Sequence, residues 1–280
     1  MAHRNTLPMI ALAAGFLLPS IGAQAFDETK YPMSWEGKWN RDPGPPRYDP
    51  SKPGRRGQQP PLTPEYQKIF DASLADQDAG GQGNDSTHRC LPVGMPRAAS
   101  SGFPIEIVIT GKATYILFES SFSSPRKIHT DGRDWPREVE PTFAGYSIGK
   151  WLDTDGDGKL DTLEIETRHM KGPRQVDNSG MPLHQDNKTV VRERMFLNKT
   201  NPNILNNEVT LIDNAYTRPW TAMKNYQRMK GEIGEDNCNE SNNHVEIGKE
   251  IYYLSADGLL MPAKKGQKPP DLRYFDQTRK

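Results

Sequence analysis

The feature that most constrains the fold is a hydrophobic pattern that changes from a helical period to a period of two after Phe103. Apolar and polar residues then alternate in short runs separated by Asp-Gly, Pro-Gly and Asn-rich turns: residues 105–109, 113–119, 126–130, 145–151, 161–168, 188–197, 204–213 and 219–229. Such alternation is typical of half-buried strands. Because helical segments do not alternate with the runs, a parallel α/β sheet is disfavoured. The pattern predicts a mainly β fold, an antiparallel barrel or sandwich, and eight or nine strands suit a small barrel with room for one ligand.

The segment before these runs divides into an arm and a helix. Residues 26–61 are rich in proline and glycine, which predicts an extended arm rather than a domain. The string Thr63-Pro64-Glu65 supplies an N-cap hydroxyl, a proline at the first helical position and a carboxylate that faces the helix dipole. It predicts a helix that ends near Asp78. The apolar stripe of this helix is Tyr66, Ile69, Phe70 and Leu74. Residues 62–280 are then expected to form one barrel domain with a polar C-terminal tail.

Residues 1–25 have the parts of a secretory signal peptide. Arg4 lies in a short polar start, an apolar stretch runs from Leu7 to Leu18, and small residues at Ala23 and Ala25 suit signal peptidase. The alternative is a membrane anchor, but the apolar stretch is shorter than the ~20 residues that a spanning helix needs. The sequence predicts an exported protein, periplasmic or secreted, with no membrane span after cleavage.

The cysteine content and the net charge narrow the possible class of protein further. Cys90 and Cys238 are the only cysteines, and in an oxidising compartment they predict one disulfide, with two free buried thiols as the alternative. The chain has 36 basic and 36 acidic residues. No net field therefore draws it to nucleic acid or to an anionic bilayer, and both function classes are disfavoured.

Residues 153–164 match the twelve-residue calcium loop of the EF-hand in its ligand positions. The runs on either side alternate as strands do, where an EF-hand has helices. We therefore expect a structural Ca²⁺ ion that caps a β-hairpin, with a solvated Asp/Gly turn as the alternative. The expected ligands are Asp153, Asp155, Asp157, Asp161, Glu164 and, through its backbone carbonyl, Lys159. Of these ligands, Glu164 is the one that the following strand is most able to direct away from the ion.

Two short strings gather residues that are candidates for acid/base chemistry. In the first, His129 and Asp131 lie among arginines. In the second, His184 precedes a strand on which Glu193 faces one way and the flanking arginines the other. If the Glu193 face lines the barrel, His184 and Glu193 can form an acid/base pair with shifted pKa values.

The candidate ligand-binding residues are arginines and aromatic residues in and beside these strings. For each of them the alternative is a rim salt bridge or a turn cap. They are Arg126, Arg133, Tyr146, Arg194 and Trp220.

The string Gly145-Tyr146-Ser147-Ile148-Gly149 matches the G-x-S-x-G motif of α/β-hydrolases. That motif requires a strand before the serine and a helix after it. Here the acidic loop follows within a few residues, so a serine hydrolase is disfavoured.

Two groups of residues resemble known proteins. Gly37-Lys38-Trp39 resembles the first-strand motif of lipocalins, in which the tryptophan closes the barrel floor beneath a late arginine, here Arg218. A second resemblance, from Leu62 to about Tyr226, is to a group of exported bacterial proteins of unknown activity. It implies a lipocalin-like (calycin-like) β-barrel and no catalytic assignment. The strings that carry it are Cys90–Arg97, Arg126–Arg133, Tyr146–Trp151, Asp161–Thr167 and Val191–Arg194.

Two functions of different classes follow. The first is a secreted, calcium-stabilised barrel that takes a small, partly apolar ligand into its mouth. The second is a periplasmic hydrolase or isomerase with a His/acid pair in the barrel cavity. A third, an interaction protein that uses the Pro-rich arm, has support from composition alone.

Overall fold

Nine strands close a β-barrel in chain order. The computed structural model describes residues 26–41, 48–49, 51–89, 91–100, 102–119, 124–172, 174–234, 244–247, 250–255 and 259–270. The proposed signal peptide and both cysteines lie outside these residues. The strands are β1 (Gly37–Arg41), β2 (Ile105–Ile109), β3 (Ala113–Phe118), β4 (Arg126–His129), β5 (Tyr146–Leu152), β6 (Thr162–Arg168), β7 (Val190–Leu197), β8 (Ile204–Ile212) and β9 (Trp220–Arg228). The alternating runs after Phe103 correspond to β2 to β9, so the mainly β barrel is confirmed.

Strand β1 comes from the segment predicted as an arm. It pairs with both β2 and β9, and Trp39 lies opposite Ile105 on one side and Arg228 on the other. The N-terminal segment therefore supplies the strand that closes the barrel.

The sheet is antiparallel except at one seam. Strands β4 and β5 run parallel, with Ile128 opposite Ser147 and His129 opposite Ile148. Each antiparallel pair reverses the strand direction, and a closed ring returns to its starting direction only after an even number of reversals. Nine strands in chain order therefore require at least one parallel pair, which the expectation of an antiparallel barrel did not include. Parallel neighbours need a crossover connection, and residues 130–145 provide it.

One end of the barrel is closed by tryptophan. The Trp39 side chain is fully buried, and its Nε1 donates to the Trp35 carbonyl at 2.8 Å. The guanidinium carbon of Arg228 lies 4.2 Å from the centroid of a Trp39 ring. The expectation that Arg218 fills this place is wrong, because Arg228 is the residue opposite Trp39 in the β1/β9 register. The core at this end includes Ile105, Ile107, Ile128, Trp151, Leu163, Met195 and Leu205.

Helix α1 (Pro64–Asp78) packs on a second core at the other end. Its bounds agree with the prediction, and the Thr63 side chain accepts a hydrogen bond from the Tyr66 amide. Ile69 is 39% exposed, because it lies at the edge of the buried stripe rather than within it. The residues of this second core include Tyr66, Phe70, Leu74, Met181, Leu183, Leu211 and Ala215.

The C-terminal part forms a separate three-stranded antiparallel sheet: β10 (His244–Ile247), β11 (Glu250–Leu254) and β12 (Leu260–Pro262). It is held against the end of α1. Lys264 Nζ lies 2.8 Å from an Asp76 carboxylate oxygen, and the Lys265 amide donates to the Ala79 carbonyl at 2.7 Å. Among the described residues we find no helix with the length and apolar character that a membrane crossing requires.

Candidate ligand-binding cleft and metal loop

A buried ion pair crosses the barrel interior. Arg126 on β4 and Glu193 on β7 are 2% and 3% exposed, and the guanidinium donates two hydrogen bonds to the carboxylate. Asn207 on β8 donates a third to Glu193 at 2.9 Å. The Glu193 side chain therefore faces the barrel interior, which is the condition that the acid/base hypothesis required. Its partners are Arg126 and Asn207 rather than His184, so the expected His184–Glu193 pair does not form.

Ser147 belongs to the same interior network. Its Oγ accepts from Arg126 Nε at 3.3 Å and lies 2.8 Å from Thr167 Oγ1. The serine lies within β5, and the next element is strand β6. The G-x-S-x-G string is thus part of a strand, as the sequence argument anticipated, and it forms no nucleophile elbow.

A cleft of about 420 Å³ lies along the parallel seam. Residues of β4 and β5, of the crossover and of the turn after β6 line it. The Lys171 amide donates to the Thr142 carbonyl at 2.9 Å and so fixes the crossover beside β6. Gly145 has a φ of +72°, and a Cβ there would lie 2.7 Å from the Arg168 carbonyl oxygen, so glycine is required where the chain re-enters the barrel.

Aromatic and cationic side chains together form the wall of this seam cleft. The His129 ring stacks on Tyr146 with centroids 4.9 Å apart, and Lys171 Nζ lies 5.3 Å from the Phe143 ring centroid. Lys127 and Arg126 also line the cleft. The His129 pKa is lowered by burial first and then by neighbouring cations, and its Nδ1 is buried without a hydrogen-bond partner among the described residues. A neutral imidazole is therefore available at neutral pH to donate or accept one hydrogen bond.

Asp131 and Arg133 form a pair at the edge of the seam cleft. Arg133 donates two hydrogen bonds to the Asp131 carboxylate, at 2.8 and 2.6 Å. These hydrogen bonds hold the Asp131 pKa well below its usual range. Arg133 also approaches the Tyr146 hydroxyl at 3.5 Å. Because Arg133 occupies the carboxylate, Asp131 does not act as the acid partner of His129.

The remaining candidates lie elsewhere. His184 stands before β7, with its Nδ1 3.1 Å from an Asp186 oxygen and its side chain 34% exposed. Arg194 is on the outward face of β7 and packs on the Phe196 ring at 5.1 Å. Trp220 lines a small cavity with Tyr48 and Lys224 at the end of the barrel on which α1 packs, and this end is the barrel mouth. The structure thus brings Arg126, His129, Asp131, Arg133 and Tyr146 near one another, and it places His184, Arg194 and Trp220 elsewhere.

The barrel interior is largely filled. The two cores and the Arg126–Glu193 pair occupy it, and the cavity in the mouth beside Tyr48 and Trp220 is about 10 Å³. This space holds about one water molecule. The seam cleft is accordingly a better place for a small molecule than the interior that the sequence suggested.

The acidic loop between β5 and β6 brings three of the predicted metal ligands together. Oxygens of Asp153, Asp155 and Asp161 lie within 4.8 Å of one another. The Asp153 carboxylate accepts hydrogen bonds from the amides of Gly156 and Gly158 at 2.7 and 2.9 Å. The loop is already folded around these carboxylates, an arrangement that suits a hard cation such as Ca²⁺.

Asp157 and Glu164, two other predicted ligands, are not part of this group of carboxylates. The Asp157 carboxylate accepts from the Lys159 amide at 2.8 Å. Glu164 is exposed on β6, opposite Lys150 and Arg194. The strand geometry after Thr162 turns Glu164 to the outer face of the barrel, so this residue does not complete the loop as it does in an EF-hand.

The seam cleft also contains residues that were not predicted from the sequence, chiefly Lys127, Phe143 and Lys171. Lys127 is next to Arg126 in the same string, so its position in the sequence could have identified it. Phe143 lies in the crossover and Lys171 in the turn after β6, and alternation does not reveal that these two connections meet. Comparisons of the chain with protein-family models, with curated proteins and with solved structures found no match.

Proposed function

We propose that this chain is a β-barrel binding protein whose seam cleft takes a small, partly apolar, anionic molecule. One observation carries the proposal: cations and aromatic rings line the same cleft, at the one parallel seam of the barrel. Concave sites with apolar walls and a few polar groups are typical of small-molecule binding.

The charges around the seam cleft favour an anion. Glu193 is already paired with Arg126, and Asp131 with Arg133. Lys127 and Lys171 have no carboxylate within 4 Å in the part of the chain that the structure describes. An anionic group can therefore pair with these lysines while the apolar part of the molecule lies against Phe143 and Tyr146.

Titration calorimetry with phenyl phosphate tests this proposal. Benzyl alcohol, which has only the apolar part, and inorganic phosphate, which has only the anionic part, are the control compounds. We expect phenyl phosphate to bind more tightly than either half. Lys171→Gln should weaken binding about tenfold, since one charge-assisted hydrogen bond contributes about 1.5 kcal/mol. Lys188→Gln, an exposed lysine outside the cleft, is the matched control. The proposal would be refuted if none of the three compounds gave a heat of binding, or if the two variants lost equal affinity for phenyl phosphate.

The folded acidic loop supports a second part of the proposal, a structural Ca²⁺ ion on Asp153, Asp155 and Asp161. Bringing three carboxylates this close without a cation leaves them in mutual repulsion. Calcium should therefore raise the melting temperature, and EGTA should reverse the rise. Asp155→Asn should abolish the calcium effect, whereas Glu164→Gln should leave it intact. An unchanged melt with and without calcium would reject the site.

We also propose that the chain is exported and that Cys90 and Cys238 form a disulfide, as the leader-like residues 1–25 suggest. Intact-mass measurement of protein purified from its own host tests both. The expected species begins at Phe26 and lacks two hydrogen atoms relative to the reduced chain. A mass that includes residues 1–25, or two alkylatable thiols in the purified protein, would contradict the respective part.

A further inference from the structure

Lys224 occupies a position in β9 where the strand pattern places an apolar residue. Ala222 and Tyr226, two residues away on either side, are buried on the same interior face, and Lys224 is only 4% exposed. Its Nζ has no hydrogen-bond partner among the described residues. A buried amine without hydrogen bonds is disfavoured in its charged form. Lys224 is thus a buried titratable group that the seam cleft does not use.

The Lys224 amine faces the cavity in the barrel mouth. Nζ lies 3.4 Å from the centroid of the Tyr48 ring. The rings of Tyr48 and Trp220 pack edge to face with centroids 4.8 Å apart and form one wall of the cavity. The other walls are apolar and include Ala99, Val176, Val209 and Leu211. A neutral molecule therefore suits this cavity better than a charged one.

Tyr48 belongs to the segment before α1 rather than to the barrel. The Tyr48 amide donates to Gln58 Oε1 at 2.6 Å, and its hydroxyl lies 3.2 Å from an Asp177 oxygen. The ring therefore covers Nζ without being part of the strand framework. Because the cavity itself is about 10 Å³, a captured molecule needs the space that the Tyr48 ring fills, so the proposal below requires this ring to move aside.

Burial and a neighbouring cation favour the uncharged form of the Lys224 amine. Burial first, and then the nearby Arg41 guanidinium, lower the pKa of Lys224 to about 7, while Asp177 acts in the opposite direction. Burial in turn raises the Asp177 pKa. At pH 7 about half of the Lys224 side chains then carry a free amine, roughly a thousandfold more than an ordinary lysine.

We propose that Lys224 captures small apolar aldehydes and ketones as an imine in the barrel mouth. The amine nitrogen adds to the carbonyl carbon, and a proton passes from nitrogen to the carbonyl oxygen. The resulting hydroxyl group then leaves with the second proton of the nitrogen, as water, while the C=N bond forms. No oxidant or reductant is needed, and hydrolysis reverses the reaction. The bound class is neutral, which separates this site from the anion of the seam cleft.

Reductive trapping tests this proposal on the full mature chain. The protein is incubated at pH 7 with butanal and cyanoborohydride, and the modified lysines are located by peptide mapping. We expect the first butyl group to be attached to Lys224, ahead of exposed lysines such as Lys188. Label that spreads over exposed lysines and spares Lys224 would overturn the proposal.

Two variants separate capture from general lysine chemistry. Tyr48→Ala should speed labelling of Lys224 because it removes the ring that covers Nζ. Lys224→Met should lose the fastest butyl labelling, whereas Lys188→Met should keep it. Near-UV circular dichroism of the labelled wild-type protein verifies that capture occurs in the folded state. Labelling of Lys224 only after loss of that signal would count against the site.

Discussion

At the scale of single residues, the Arg126–Glu193 pair is the most consequential contact in the barrel. Both side chains are almost completely buried, and their hydrogen bonds link β4, β7 and β8. Removal of one member leaves an uncompensated charge in the interior. We expect Arg126→Met to lower the free energy of unfolding by about 3–5 kcal/mol.

The double variant distinguishes the ion pair from its two halves. Arg126→Met combined with Glu193→Leu leaves no unpaired charge, so its loss should be smaller than the sum of the single losses. Urea unfolding of the four proteins gives the coupling energy. Additive losses would show that the pair does not act as a unit.

At the scale of elements, the parallel seam depends on close contact between two connections. Gly94 has a φ of +58°, and a Cβ at this position would lie 2.1 Å from the Phe143 carbonyl oxygen. The Met95 amide donates to that same oxygen at 3.0 Å. Gly94 thus lets the segment before β2 pack against the crossover that walls the seam cleft.

Gly94→Ala should therefore be strongly destabilising. Gly132→Ala is a matched control, since Gly132 also has a positive φ of +76° but has open space around the added Cβ. The conformational penalty at Gly132 is about 1–2 kcal/mol, and backbone overlap at Gly94 adds about 1–3 kcal/mol. Thermal or urea unfolding of both variants measures the difference. Equal losses of stability in the two variants would show that the backbone around Gly94 moves to accept a Cβ at no extra cost.

Helix α1 and strands β2 to β9 could be predicted from the sequence because capping and strand alternation are local properties, whereas strands β10 to β12 lie in the segment predicted as a polar tail. The Thr63 cap and each run after Phe103 show where chain segments become helix or strand. Which strands are neighbours depends on ring closure and on the crossover, and neither is local. That is why the prediction gave β4 and β5 as strands but not as a parallel pair.

The candidate site could be predicted in part for the same reason. Arg126, His129, Asp131 and Arg133 are close in sequence, so the chain itself keeps them together. The partner of Glu193 was misassigned because β4 and β7 meet across the interior, where sequence distance carries no information. Lys224 was within reach, since it is in phase with the buried Ala222 and Tyr226 on β9.

At the scale of the whole molecule, buried ionisable groups determine how stability varies with pH. Lys224 has a folded-state pKa near 7, well below the value of about 10.4 for an unfolded lysine. Between these values the unfolded chain binds the extra proton, so stability rises with pH. Tyr216 and Tyr226 act oppositely. Burial raises both pKa values above the usual 10, so these tyrosines make stability fall as pH rises beyond about 10.

Lys224→Met should remove the rise of stability between about pH 7 and pH 10. The variant should be more stable than the wild type at pH 7, because the unfavourable burial of a titratable amine is gone. The advantage should shrink by up to about 1.4 kcal/mol per pH unit as the pH approaches 10. Urea unfolding at pH 7, 8 and 9 measures it, with Lys188→Met as the exposed control. Parallel profiles for wild type and Lys224→Met would mean that the Lys224 amine is charged and solvated in the folded barrel.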